Sequence, residues 1–554
     1  VEPGRRQSRG EHLENYWTRK RLSRRAVLAS GSATAIGAAA LALGCGGDDD
    51  DDDVVISEPT GSSATQPAGN GSGDSSGPTG SLTIAIDALP PTLDPHRTSG
   101  GGYFPFNWET FEGLLARDND ARIMPGLAES FEYSPDYTQL TLKLRTGVTF
   151  HNGDPFTSED VPFSLERLRT PDFKMAYAPN FARIEAVETP DAQTVIFKSS
   201  SPFPELHQYL DSYFYVVPKK YLSTGNNEST FGTNPVGTGP LKVARFATDE
   251  VIEFEAYEGY WGTKSQTAKI ALRALPEPST RVAGLQNGEL DLVWGLPPQF
   301  FQQLQNNDYE LIFSPAVRVR FAMLNLRGQG NPAYKDPRVR EAMNVAINRE
   351  QIAKVVFGGA ARPGGWFAPL GVTGHKDAEP YPYDPERAKR LLAEAGFADG
   401  LQIDPLAYAT ADPEAMYNGV IADWAKVGIR STNAPLGADF VDVLRSHTVP
   451  MIATQSQNVA YDGAADLIRW LHTDGGYSIS DGSLDADIDA AANAGGAERE
   501  AALQAVFERV YNEYLVIPIV ETDNVFAYRK DRIKGWPQIL GWPYPRNYGR
   551  IVKA

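Results

Sequence analysis

From Leu140 to Val161 the chain reads LTLKLRTGVTFHNGDPFTSEDV, a stretch that admits few local structures. Leu140, Leu142 and Leu144 alternate with Thr141, Lys143 and Arg145, the two-residue period of a strand with one buried face. Gly147 allows a tight turn. Val148 and Phe150 continue the inward period, and Asn152-Gly153 followed by Pro155 ends regular pairing. Thr157 and Asp160 have the spacing of a capping box, opening a helix that carries Val161, Phe163, Leu165 and Leu168. Only His151 falls outside this grammar. With no nucleophile or second ligand beside it, the imidazole reads as structural.

The same devices recur. Asp336 caps a helix with Pro337 at its first position and an apolar stripe of Val339, Met343 and Ala346. Asn348 with Gln351 caps the next, bearing Ile352, Val355 and Val356 and stopped by Gly358-Gly359. Asp384-Pro385 opens another that ends at Gly396. Leu503, Val506, Phe507, Val510 and Tyr514 share a helical face, followed by strand-like Leu515 to Val520. Alternating helices and strands of this kind predict α/β lobes with mixed sheets.

At 554 residues the chain exceeds the size at which one core keeps growing, so two or three lobes are expected. The net charge of -18 disfavours nucleic acid as a partner, and no basic stripe with interleaved aromatics occurs in the body. The sole cysteine is Cys45, which leaves no internal disulfide and no cysteine metal cluster. It follows a basic segment, Arg19 to Arg25, and an uncharged run from Ala26 to Gly44, the order of an export signal. Ser23 to Leu28, SRRAVL, resembles a twin-arginine signal, and Gly44-Cys45 resembles the end of a bacterial lipobox, which makes Cys45 the expected lipidation site. Six aspartates, Asp48 to Asp53, and a Gly/Ser/Thr/Pro-rich stretch to Gly80 read as a solvated tether.

The segment Leu127 to Val161 closely resembles the signature region of the family 5 extracellular solute-binding proteins, the peptide, nickel and oligosaccharide receptors of ABC importers. The resemblance continues at TLDPHRT (Thr92 to Thr98), PVGTGPLKV (Pro235 to Val243), EGYWG (Glu258 to Gly262), LQNGELDLVWGLP (Leu285 to Pro297), Asp336 to Gly359 and YDPERAKRLLAEAGF (Tyr383 to Phe397). It implies a two-lobe periplasmic-binding-protein-like α/β fold, type II, in the large family 5 form with an extra subdomain in the N-terminal lobe. Mixed sheets and two crossing segments belong to it, the crossings falling between Leu292 and Arg320 and near Ile517 to Val525. The expected divisions are an export signal at 1–44, a tether at 45–80, an N-terminal lobe at 81–305, a C-terminal lobe at 306–519 and a return to the N-terminal lobe at 520–554. The implied protein is a monomer, lipid-anchored at the cell envelope, that closes on a small polar solute and delivers it to an ABC permease. A solute sensor or chaperone-like binding protein of the same fold is the alternative, and a secreted hydrolase a third.

Catalytic grammar is sparse. The chain has no HExxH, GxSxG elbow, P-loop or GxGxxG at a strand–helix junction, its seven histidines are scattered, and Asp485 to Asp489 reads as an acidic helix start. No catalytic residue, cofactor or metal is expected. In peptide-binding relatives an aspartate after a strand of the second lobe holds the ligand's α-amino group. The matching segment, Met451 to His472, puts Ala460 there in an ungapped alignment, with Asp462 two residues on. A buried ammonium without a counter-ion is costly, so this counts against an ordinary peptide unless Asp462 serves. Gln455, Gln457 and Asn458 supply uncharged donors and acceptors suited to a neutral polar solute. By position in the family pattern, Tyr103, Phe104, Asn107, Trp366, Phe440 and Tyr461 complete the candidate ligand-binding set.

Overall fold

The computed structural model describes residues 78–97, 104–173, 175, 177–369, 371–375, 378–410, 412–458, 460–536 and 548–554. The expectations for the export signal, Cys45, nearly all of the tether and Tyr103 lie outside the described residues.

The strands that matter here are, in chain order, β1 (Thr79–Ile86), β2 (Ala128–Tyr133), β3 (Gln139–Leu144), β4 (Ile184–Asp191), β5 (Thr194–Ser199), β6 (Leu241–Ala247), β7 (Val251–Ala256), β8 (Thr267–Ala274), β9 (Leu292–Trp294), β10 (Tyr309–Leu324), β11 (Leu406–Ala409), β12 (Asn433–Leu436), β13 (Met451–Ser456) and β14 (Val516–Arg529). The helices are α1 (Asp160–Leu168), α2 (Leu206–Ser212), α3 (Pro337–Val345), α4 (Arg349–Phe357), α5 (Pro385–Glu394), α6 (Gly463–Leu471), α7 (Asp485–Asn493) and α8 (Gly496–Asn512). Ten of these strands form one sheet in the order β12-β11-β13-β10-β14-β9-β1-β8-β7-β6, with Ala361–Pro363 added against β14. A separate antiparallel sheet, β2-β3-β5-β4, belongs to the subdomain.

The two longest strands tie the lobes together. β10 and β14 pair antiparallel from Tyr309↔Arg529 to Met323↔Val516. One end of the pair adjoins β9 of the N-terminal lobe, through Leu292↔Tyr528, and the other adjoins β13 of the C-terminal lobe, through Leu324↔Met451. Between these ends the register shifts twice, at Ser314/Arg318 and Arg320/Phe321. Such irregularities bend a strand locally, so the ladder is interrupted where it passes from one lobe to the other.

Local sequence explains the elements. In β3, Leu140, Leu142 and Leu144 are buried while Gln139 and Lys143 are exposed. Asp336, Asn348 and Asp384 accept hydrogen bonds from the first-turn N–H groups of Arg338, Gln351 and Arg387. Asp160 accepts from the N–H and hydroxyl of Thr157, at 2.8 and 3.1 Å. The hydroxyl is thus turned onto the carboxylate, only half of the expected box forms, and α1 starts at Asp160. His151 is structural: its Nε2 meets Gly239 O at 2.9 Å, its Nδ1 accepts from Gly237 N, and burial pushes it down to about 4. Two expected apolar positions differ. Val355 is 68% exposed, because Ala353 and Phe357 set the buried face of α4 and Val355 lies roughly 200° around the helix from each at ~100° per residue. Tyr514 falls beyond the end of α8, in a positive-φ turn into β14.

The C-terminal lobe is built around Phe321, Trp424, Met451 and Phe507, and the N-terminal lobe around Ile84, Phe254, Leu272 and Phe526. The subdomain core contains Phe111, Leu142, Phe150, Phe197 and Phe214. Ala460 and Tyr461 of the C-terminal lobe are packed into that subdomain core, so the two lobes meet across a closed seam.

Candidate functional site

In the N-terminal lobe β1 runs parallel to β8 and β9, and in the C-terminal lobe β11 runs parallel to β12 and β13. Loops leaving the carboxyl ends of parallel strands are where open α/β sheets place ligands. Those of the C-terminal lobe lead to Asp412, Phe440 and the run from Gln457 to Asp462.

At the ends of β11 and β13, Arg320 is ion-paired with Asp412, which also accepts the Tyr417 hydroxyl at 2.9 Å. Tyr417 stacks on Tyr408 with ring centroids 4.2 Å apart. Gln455 is the register partner of Arg320, and among the described residues Gln455 Oε1 and Arg320 Nε are buried without hydrogen-bond partners. One residue on, Ser456 Oγ donates to Asp466 Oδ1 at 2.7 Å and Asn458 Nδ2 donates to Asp466 Oδ2 at 3.0 Å. Part of the polar stretch is therefore spent on a buried carboxyl, whose pKa desolvation raises. Asp462 caps α6 by accepting from Ala465 N at 3.1 Å, and its other oxygen accepts from Arg499 Nη2 at 2.6 Å.

Helix α2 and the turn before it present Glu205, Gln208 and Asp211 at three-residue spacing, hence along one face. Arg117 donates to Asp211 at 2.8 Å and to Gln208, and across the seam to Ala460 O at 3.1 Å, while its guanidinium lies 4.4 Å from the ring centroid of Tyr461. Glu205 lies 3.5 Å from Arg499 Nη2 of α8 and 3.5 Å from Arg183 Nη1. Burial and then the Asp462 carboxylate push Glu205 up to about 7. Arg117 and Arg499 thus reach across the seam from opposite sides.

Beside these contacts, a crevice of about 560 Å³ opens between the subdomain and the C-terminal lobe. Its subdomain wall carries Tyr177, Arg183, Phe203 and Glu205, and its other wall carries Arg445, Arg469 and Tyr477. This is within the size range of small-molecule sites.

Of the residues singled out from sequence, Gln455, Gln457, Asn458, Tyr461 and Asp462 come together at the end of β13 and the start of α6. Phe440 is half-buried against the C-terminal core, Trp366 is buried edge-on to Phe507, and Asn107 is buried at the end of the helical turn Phe104–Asn107. None of the described ones among them lines the crevice. Arg117, Glu205, Arg445, Arg469 and Arg499 were missed. One signal existed: the polar i, i+3, i+6 face in ELHQYLD, Glu205 to Asp211, interrupts an apolar helix. Among the described residues no three His, Cys, Asp or Glu side chains gather as metal ligands, and no helix is long and apolar enough to cross a membrane.

Two α/β lobes sharing a sheet through two crossing strands, with charged side chains of both meeting at a seam, define a two-lobed binding-protein fold. Comparison with known proteins agrees. The model of bacterial extracellular solute-binding proteins, family 5 Middle, matches residues 122–478, more than half of the chain. The chain is 30% identical over 321 residues to the glutathione-binding protein GsiB of Pectobacterium atrosepticum, covering 57% of this chain and 61% of that protein. It is 29% identical over 323 residues to the GsiB of Salmonella choleraesuis, covering 58% and 62%. The matched region thus spans about three-fifths of the length of these relatives. Solved structures are similar over more of the fold. NikA from Brucella suis in complex with Fe(III)-EDTA superimposes with a TM-score of 0.75 at 22% identity, covering 86% of this chain and 100% of that one. DppA from Helicobacter pylori in complex with the peptide STSA gives 0.70 at 23%, covering 86% and 98%. The chain belongs to the bacterial extracellular solute-binding proteins, family 5.

Proposed function

We propose that this chain is the solute-binding receptor of an ABC importer, capturing a peptide-like or other polar small solute between its lobes and presenting it to a membrane permease. The observation that carries the reading is the seam: Arg117 and Arg499 each bind groups of both lobes beside a crevice of ligand size. A solute favours the closed state only by touching both lobes, and that differential contact is what drives closure. The interruptions in the β10–β14 ladder are the hinge in this reading, with the lobes divided at 81–305, 306–519 and 520–554. The glutathione-binding relatives support a peptide-sized, polar cargo. The receptor acts without chemistry of its own, as a monomer, outside the cytoplasm, and is tethered through lipidated Cys45.

A thermal-shift screen against peptides, glutathione, oligosaccharides, opines and nickel chelates tests it. A solute at a hundred times its Kd that binds only the native protein adds about 2.7 kcal/mol of stability. A reproducible shift accompanied by a smaller radius of gyration in solution scattering is the expected result. Stabilisation without compaction by any solute would remove the closure mechanism.

A further inference from the structure

The crevice between the subdomain and the C-terminal lobe has a chemical bias. Its lining carries three arginines, Arg183, Arg445 and Arg469, against two acids, Glu205 and Asp474. Glu205 is already held by Arg499 and Arg183, and Asp474 is exposed. Other buried acids of the C-terminal lobe near the seam are engaged as well: Asp462 by Arg499, Asp412 by Arg320, and Asp466 by Ser456 and Asn458. The arginines have donors to spare. Arg183 donates through Nη1 to Pro202 O at 3.0 Å and is 30% exposed. Arg445 is exposed, with no ion pair among the described residues.

Both outer arginines sit over aromatic rings. The Arg183 guanidinium is 5.1 Å from the centroid of Phe203, and that of Arg445 is 6.0 Å from the centroid of Tyr477. Each wall therefore offers a guanidinium backed by an aromatic ring, and the two pairs belong to different lobes. A guanidinium fork matches a carboxylate or phosphate in two parallel hydrogen bonds, and the ring behind it limits the directions the fork can take. Arg469 also lines the crevice, but its charge is opposed by the Asp466 carboxylate, so the bias rests on the two outer arginines. A cationic solute meets net repulsion here, and a neutral one leaves the spare donors unmatched.

We propose that this crevice is the specificity pocket for an anionic solute that carries acidic groups at both ends of an extended body, one gripped by Arg183 and the other by Arg445. This rests on the receptor reading and names the class of its cargo. Because the two grips lie on opposite walls, the same contacts that select the anion hold the lobes together.

The test is isothermal calorimetry on the purified protein with glutathione and glutarate as dicarboxylates, phenylacetate as a monocarboxylate, arginine amide as a cation and trehalose as a neutral solute. The expected result is that a dicarboxylate binds most tightly, that Arg445→Gln and Arg183→Gln each weaken it at least tenfold, and that both variants keep the wild-type melting temperature within a few degrees. Each replacement leaves one grip intact, so phenylacetate should lose less than the dicarboxylates in either variant. Trehalose or arginine amide binding as tightly in both variants as in the wild type would overturn the anion assignment and leave the receptor reading standing. Binding by none of the five together with no thermal shift from any class in the wider screen would overturn both.

Discussion

Two arginine clusters use the same chemistry in different mechanical settings. In the first, Arg167 of α1 grips Asp94 with both ends of its fork, at 2.8 and 2.6 Å, and binds both oxygens of Glu228, at 2.8 and 3.1 Å. All three residues lie within the N-terminal lobe, and His96 beside Asp94 is pushed down to about 4, first by burial and then by Arg167. In the second, Arg499 binds Asp462 of its own lobe at 2.6 Å but reaches Glu205 across the seam only at 3.5 Å. The first cluster is saturated and lies wholly on one side of the seam. The second is tight on its home side and slack on the other, which lets the seam open without abandoning a buried charge: Asp462 keeps its partner whether or not Glu205 stays.

The largest expected effect is in the saturated cluster. Arg167→Ala removes the two-pronged partner of Asp94, whose side chain is 1% exposed, and leaves it Arg97 Nε at 3.1 Å and His96 N at 3.0 Å; loss of the main partner from a buried pair costs about 3–5 kcal/mol. Urea denaturation followed by circular dichroism should show a loss of that order, and a loss below about 1 kcal/mol would mean that water reaches Asp94 and the cluster is not the rigid one. Arg499→Ala should cost somewhat less, about 2–4 kcal/mol, because Arg499 makes one carboxylate hydrogen bond where Arg167 makes four, and Asp462 retains its bond from Ala465 N at the amino end of α6, where the helix field favours a carboxylate. A larger loss than for Arg167→Ala would reverse the ranking of the two clusters.

What could be read from sequence divides along the same line. The caps at Asp336, Asn348 and Asp384, the alternation in β3 and the long strand after α8 are local, each fixed by a few neighbouring residues. The loop from Gln455 to Asp462 was legible as polar, but the partner each side chain takes was not. Asp462 is spent on an arginine 37 residues away, and Ala460 O faces one 343 residues away. Such pairs depend on how the lobes meet, and hydrophobic period carries no information on that. Trp366 illustrates the converse: an aromatic side chain has the same appearance in sequence whether it walls a cleft or, as here, packs against Phe507 in the core.

The smallest effect is the most informative about the slack side. Glu205→Gln keeps the shape of the side chain and the Arg499–Asp462 pair, so at about pH 4 it should change stability by less than about 1 kcal/mol. The sign of its pH dependence follows from the raised carboxyl. With a native value of about 7 against an ordinary 4.5, Glu205 stabilises the native state through its protonated form. That contribution is complete below the ordinary value and is lost as pH rises through about 7. Arg499, Arg183 and Asp462 face the group, and His207, on α2, is pushed down to about 4, mainly by burial. Glutamine mimics the protonated acid at every pH. The variant should therefore match the wild type at about pH 4, gain on it as pH rises from there to about 7, and hold the gain above that, in melting temperature and in the fraction of closed molecules seen by scattering. Parallel curves for the two proteins would mean that Glu205 is charged throughout, and a carboxylate held charged at 3.5 Å from Arg499 would make the seam a second saturated cluster instead of a releasable one.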